Sequence, residues 1–190
     1  MKDTQELIKE IDQYLKENLS EKRYNHSVGV MKKAEELAKR YNVDVDKSKI
    51  TGLAHDIAKE IPNDEKVKYA NEHGIEIDEI EAENIQLLHG KIGADICKEK
   101  YDFSEDMQKA IAYHTVANPK MDDLAKIVFI ADKIEDGRKN IDFEAVKQVQ
   151  EQGIDALLIH VLDNSLKSTI TKGRKIHPDS VYTRNKFLKG

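Results

Sequence analysis

Four histidines and two aspartates, His26, His55, Asp56, His89, His114 and Asp132, are spread through the chain, each on or beside a stretch of helical periodicity. His55 and Asp56 are neighbours within Gly52-Leu53-Ala54-His55-Asp56-Ile57-Ala58-Lys59. Singly, such residues are more often structural than functional. As a set they suit two transition-metal ions, and a two-metal site of that kind usually hydrolyses phosphate bonds. The fold must then return the chain to one point from five separate segments.

Apolar residues at three- and four-residue spacing predict helices throughout, and no stretch sustains strand alternation, so the expected class is all-α. Thr4 is a candidate cap for a first helix with Leu7, Ile8, Ile11 and Leu15 on one face. Ser20 fits a second, and Asp46 a third that carries Ile50, Leu53, Ala54 and Ile57 up to Pro62. A short helix opens at Asn63 and ends at Gly74, followed by one over roughly 79–100. Further helices fit from Ser104, from Met121 to about Arg138, over 142–151 and 154–171, and from His177 to Leu188 with Pro178 in its first turn. No repeat or linker divides the chain, so residues 1–190 read as one domain with a core over about 20–140 and C-terminal helices over 142–188.

The 190 residues are enough to bury a core. A net charge of −5 without a basic block disfavours nucleic-acid partners and leaves room for a small anionic substrate. The single cysteine, Cys97, excludes an intrachain disulfide and points to a reducing compartment. The charged N-terminus lacks a signal core, and no segment has the apolar length of a membrane span, so a cytoplasmic, membrane-free protein is expected.

Imidazole and carboxylate ligands suit iron, manganese, zinc, cobalt or nickel. One carboxylate has two oxygens and can bridge ions roughly 3.5–4 Å apart. Asp56 is the candidate bridge, with His26, His55, Asp56 and Asp132 on one ion and Asp56, His89 and His114 on the other. Arg23 precedes His26 by three residues, Lys59 follows Asp56 by three, and Arg138 lies beyond Asp132 near its helix end. Cations so placed would bind phosphate oxygens and offset charge developing in transfer.

The order H…HD…H…H…D resembles the HD-domain metal-dependent phosphohydrolases, and among them the bacterial YqeK-type symmetrical bis(5'-nucleosyl)-tetraphosphatases. The resemblance rests on Arg23-Tyr24-Asn25-His26-Ser27, Ala54-His55-Asp56-Ile57-Ala58-Lys59, His89-Gly90, Tyr113-His114-Thr115, Ala131-Asp132-Lys133-Ile134-Glu135 and the tail from Ile176 to Asn185. It covers roughly residues 20–188. It implies a helical bundle with a di-iron or similar centre at His26, His55, Asp56, His89, His114 and Asp132. It implies cleavage of diadenosine tetraphosphate into two ADP, with Asp56, Lys59, Arg23 and Arg138 in the chemistry. It further implies nucleotide contacts at Arg23, Lys59, Thr115 and Arg138, beside the ligands His26, His89, His114 and Asp132. Lys175, Ile176, His177, Pro178, Asp179, Ser180, and Asn185 or Lys186 would wrap the nucleoside end, binding ADP- or GDP-like products.

Rival expectations are an HD phosphohydrolase for a nucleoside monophosphate or a guanosine alarmone, a metal-bound nucleotide sensor without turnover, and a helical interaction module. His73, before Gly74, reads as a helix-terminal charge, His160 as a packed or surface residue, and Cys97 as a small buried one. The amphipathic first helix is a candidate surface for a homodimer.

Overall fold

The computed structural model describes residues 3–139 and 141–188, among which every regular element is helical. The α-helices are α1 (Thr4–Asn18), α2 (Glu21–Tyr41), α3 (Val45–Ala54), α4 (Asn63–Glu72), α5 (Glu79–Glu83), α6 (His89–Tyr101), α7 (Glu105–Tyr113), α8 (Asp123–Ile134), α9 (Phe143–Gln150), α10 (Ile154–Thr171) and α11 (Pro178–Phe187). A short 3-10 turn, Ile85–Leu88, leads into α6. The all-α expectation therefore holds.

α8 is the axis of the molecule. Its run Leu124-Ala125-Lys126-Ile127-Val128-Phe129-Ile130-Ala131-Asp132 is buried throughout. That degree of burial fits a helix apolar on nearly all sides and surrounded by others. α2, α3, α7 and α10 pack around it, and α2 lies most extensively against α3. One continuous core runs from Leu7 to Leu162.

Three local expectations are corrected. The helix expected to carry Ile57 ends at Ala54, and residues 55–60 form tight turns in which Ile57 N–H donates to Ala54 and Lys59 N–H to Asp56. Its cap is Asp44, whose side chain accepts from Lys47 N–H, and not Asp46. The helix expected over 79–100 is broken at Asn84, where the backbone leaves helical geometry. Asp78 and Glu81 form a complete capping box there, so the first piece is stabilised by its own start signal. The apolar stripe of α1 faces inward: Leu7, Ile11 and Leu15 are buried in the chain's own core, against α3 and α2.

Candidate metal centre

Five segments deliver the six proposed ligands to one point. His26 comes from the interior of α2 and Asp132 from α8. The other histidines occupy helix ends: His55 follows α3, His114 follows α7, and His89 opens α6. The last carbonyls of a helix lack intrahelical partners. His55 Nδ1 donates to Gly52 O at 2.8 Å, His114 Nδ1 to Ile111 O at 2.6 Å, and His89 Nδ1 to Gln86 O, each three residues back. His26 Nδ1 donates to Glu135 Oε1 at 3.1 Å. A carbonyl or carboxylate only accepts, so all four rings carry their proton on Nδ1 and turn a bare Nε2 inward.

Those inward nitrogens meet two carboxylates. Asp56 Oδ2 lies 3.6 Å from His55 Nε2 and 3.9 Å from His26 Nε2. Its other oxygen, Oδ1, lies 3.1 Å from His89 Nε2 and 3.5 Å from His114 Nε2. Asp132 Oδ1 completes the first group, 3.0 Å from His26 Nε2 and 3.7 Å from His55 Nε2. The ligating atoms of His26, His55 and Asp132 all fall within 4.8 Å of one another, as do those of His55, Asp56 and His114. The two oxygens of Asp56 thus look toward different histidine pairs, the arrangement expected of a bridging carboxylate.

The donor set fits divalent ions on the structure's own terms. His55 Nε2 is fully buried and has no hydrogen-bond partner, and a buried polar atom left unpaired costs about 1–3 kcal/mol. His89 Nε2 and His114 Nε2 face each other at 3.0 Å, two lone pairs with nothing between them. A cation placed among these atoms removes both penalties.

The electrostatics agree. Burial and the neighbouring His89 and His55 rings push His114 down to about 3, and burial lowers His89, so both imidazoles stay neutral and ligand-competent. Burial opposes charge on Asp56 and Asp132, yet His55 holds Asp56, and Lys133 and His26 hold Asp132, well below the usual carboxylate range. His55 is raised: Asp56 and Asp132 outweigh the burial that disfavours its charge. The spot between them favours positive charge.

Four cations ring this centre. Arg23 Nη1 donates to Asp56 Oδ2 at 3.2 Å, and Arg138 Nη2 to Asp132 Oδ1 at 2.5 Å. Lys59 Nζ is 3.2 Å from His89 Nε2, and Lys133 Nζ donates to Asp132 and, at 3.2 Å, to His114 O. A cleft of about 420 Å³ opens over them, lined also by Gln86, Leu87, Thr115, Lys172 and Arg174.

The tail residues occupy a different position. His177 Nε2 donates to Asp78 Oδ2 at 2.8 Å, Lys175 pairs with Glu83 at 2.5 Å, and Asn118 donates to Asp179 at 2.8 Å. Ser180 Oγ donates to Val116 O at 2.5 Å, and Lys186 Nζ to Pro119 O at 2.6 Å. Ile176 is half-buried, while Pro178 and Asn185 are exposed. None of these lines the cleft; Asp179, Ser180 and Lys186 brace the loop that follows His114 and Thr115, while His177 and Lys175 are tied to the two ends of α5. The tail cations that do line it are Lys172 and Arg174.

Several participants escaped the sequence reading. Glu135 orients His26 and also accepts from Gly137 N–H at 2.6 Å. A Cβ at Gly29 would sit 2.6 Å from Glu135 Oε2, so α2 approaches this carboxylate only because residue 29 has no side chain. Lys66 is fully buried and makes no ion pair among the described residues, its Nζ donating to Lys59 O at 3.1 Å and Gln86 Oε1 at 3.3 Å. It ties the turn after Asp56 to the segment whose carbonyl orients His89. Glu135 sits in the quoted motif, three residues past Asp132; nothing in the mixed-charge sequence around Lys66 distinguishes it.

Comparison with known proteins places this geometry. Symmetrical bis(5'-nucleosyl)-tetraphosphatases from Halalkalibacterium halodurans and Bacillus subtilis are 33% and 32% identical over 177 residues, covering 93% of this chain and 94% and 95% of their own lengths. A crystal structure of a predicted HD superfamily hydrolase from Clostridium acetobutylicum, described as involved in NAD metabolism, matches with a TM-score of 0.89 and 36% identity, covering 95% of this chain and 96% of that one. The HD domain family itself matches residues 23–137, from Arg23 through the loop beyond Asp132. On a match across more than half its length, this chain belongs to the HD domain family.

Proposed function

We propose that the protein is a metal-dependent hydrolase that splits diadenosine tetraphosphate symmetrically into two ADP. The observation that carries this reading is Asp56, which turns one oxygen to His26 and His55 and the other to His89 and His114. The curated relatives named as symmetrical tetraphosphatases support the substrate class. Two ions are assigned, iron first, with manganese, zinc, cobalt or nickel accepted by the same nitrogen and oxygen ligands. Bound divalent ions would supply Lewis acidity toward phosphate oxygens and lower the pKa of water from about 15.7 to near 7.

The chain's own residues do the rest. Asp56 and Asp132 hold negative charge in a buried site, and the Nδ1 hydrogen bonds keep four imidazoles aimed inward without reorganisation. Arg23, Lys59, Lys133 and Arg138 pair with the carboxylates or face the ligand rings in this structure. With a polyphosphate in the cleft they would turn to its oxygens and stabilise charge as the oxygen of a water bonds to an inner phosphorus, the anhydride bond on its far side breaks and an ADP group leaves. Thr115 lines the same cleft, and Lys172 and Arg174 are the tail residues that reach it for the nucleoside end. In this assignment α9, α10 and α11 complete the nucleotide site of the HD core. No helix among the described residues is long and apolar enough to cross a membrane, and the substrate is a small molecule.

The test is a metal-loaded, anaerobic assay on diadenosine tetraphosphate with chromatographic separation of products. ADP as sole product supports the reading. AMP with ATP contradicts symmetrical cleavage, and tight ADP binding without turnover makes the protein a sensor.

A further inference from the structure

A second cavity adjoins the metal cleft. It is a groove of about 680 Å³ along one face of α10, and it shares Lys133, Arg138 and Lys172 with the cleft. Pockets of roughly 300–1,000 Å³ accept small-molecule ligands. Ile134, Val146 and Val161 provide an apolar wall, and His160, Asn164 and Ser168 a polar edge. The last three recur every four residues, so they stand in a row on the helix. From His160 to Lys172 the row extends roughly 18 Å at the helical rise.

Resting on the reading of the site as a dinucleoside polyphosphate hydrolase, we infer that this groove holds the distal nucleotide half of the substrate. Symmetrical cleavage requires the second nucleoside to be placed, since an untethered half would let the phosphate chain slide across the metals. The shared cations suit the phosphates that leave the cleft: Lys172 is exposed and makes no ion pair among the described residues, and Arg138 spans both cavities. Beyond them the chemistry changes from cationic to aliphatic, as it does between phosphates and a base. His160 Nε2 and Asn164 Nδ2 lie 3.3 Å apart and offer donor and acceptor atoms to a base edge. The occupant is an anionic chain ending in a planar heterocycle, and not a peptide or lipid.

Ser168 is exposed, so Ser168→Trp fills the groove without disturbing the core. The readout is the ratio of kcat/KM for diadenosine tetraphosphate to that for adenosine 5'-tetraphosphate, which lacks the distal nucleoside. The ratio is expected to fall at least about tenfold in Ser168→Trp and severalfold in His160→Ala. It is expected to stay at the wild-type value in Lys167→Trp, which lies outside the groove. Calorimetric titration with ADP is expected to give two molecules per chain in the wild type and one in Ser168→Trp. An unchanged ratio and unchanged stoichiometry in Ser168→Trp overturn the subsite and leave the hydrolase standing. No cleavage of diadenosine tetraphosphate by the metal-loaded wild type removes both.

Discussion

The centre around Asp56 and the α10–α11 hairpin sit side by side and are built oppositely. At the centre every histidine is buried or nearly so, and each ring is held by a second bond that aims its free nitrogen inward. In the hairpin, Ile170 and Tyr182 are each 62% exposed, and the cations that reach the cleft, Lys172 and Arg174, have no acidic partners among the described residues. The centre is held by its own hydrogen bonds, whereas the hairpin presents exposed groups that make no ion pair among the described residues. Chemistry that stabilises developing charge gains from fixed dipoles; recognition of a long flexible anion tolerates mobile side chains.

The sharpest way to break this contrast is Asp56→Ala. Both histidine groups lose their shared oxygen, so kcat/KM should fall on the order of 10³-fold or more. Elemental analysis should find both ions depleted, and retention of two metals with full activity would remove the bridging role. Glu135→Gln comes next. It preserves the fit against Gly29 but weakens the acceptor for His26 Nδ1, and metal affinity should drop by about 10–100-fold in a chelator competition.

Lys66→Met separates positioning from stability. Burying an ammonium without a carboxylate is costly, so exchanging it for a thioether of similar length should change unfolding free energy by no more than about 2 kcal/mol. Lys59 O and Gln86 Oε1 nevertheless lose their common donor, and kcat should fall between about tenfold and a hundredfold with KM little changed. Equal losses in melting temperature and activity would mark Lys66 as merely structural.

The smallest effect is a pH dependence that differs between the two regions in the metal-free protein. Burial works against charge on Asp78, but the Glu81 N–H and His177 lower it below its ordinary 3.8. A carboxyl depressed on folding contributes stability above its unfolded value and loses it as pH falls through the folded one. Asp56 and Asp132 are held further down, so the Asp78–His177 tether should release first on acidification. Limited proteolysis in the 172–177 stretch, rising below about pH 4 before near-ultraviolet dichroism is lost, is the check; simultaneous loss would erase the distinction.

Much of the centre was legible beforehand. Histidine and aspartate types, their helical settings and the two-oxygen argument for Asp56 lead to the ligand grouping that the distances now support. Glu135 was legible only as part of a motif, because sequence spacing does not say which ring it faces. Lys66 was invisible, since Asn63-Asp64-Glu65-Lys66 reads as a solvated helix start until α4 is seen folded over the turn after Asp56. The tail run offers Lys172, Arg174 and Lys175 within four positions, and local periodicity does not decide which of them points at the cleft.

The sequence alone determined that the chain is helical and which histidines and aspartates are candidate ligands, because periodicity and side-chain chemistry are local properties. Which oxygen faces which nitrogen, which lysine is buried, and which cations line both the cleft and the neighbouring groove were decided only by tertiary packing. Those are distances between segments far apart in the chain, set by how α2, α3, α7 and α10 close around α8.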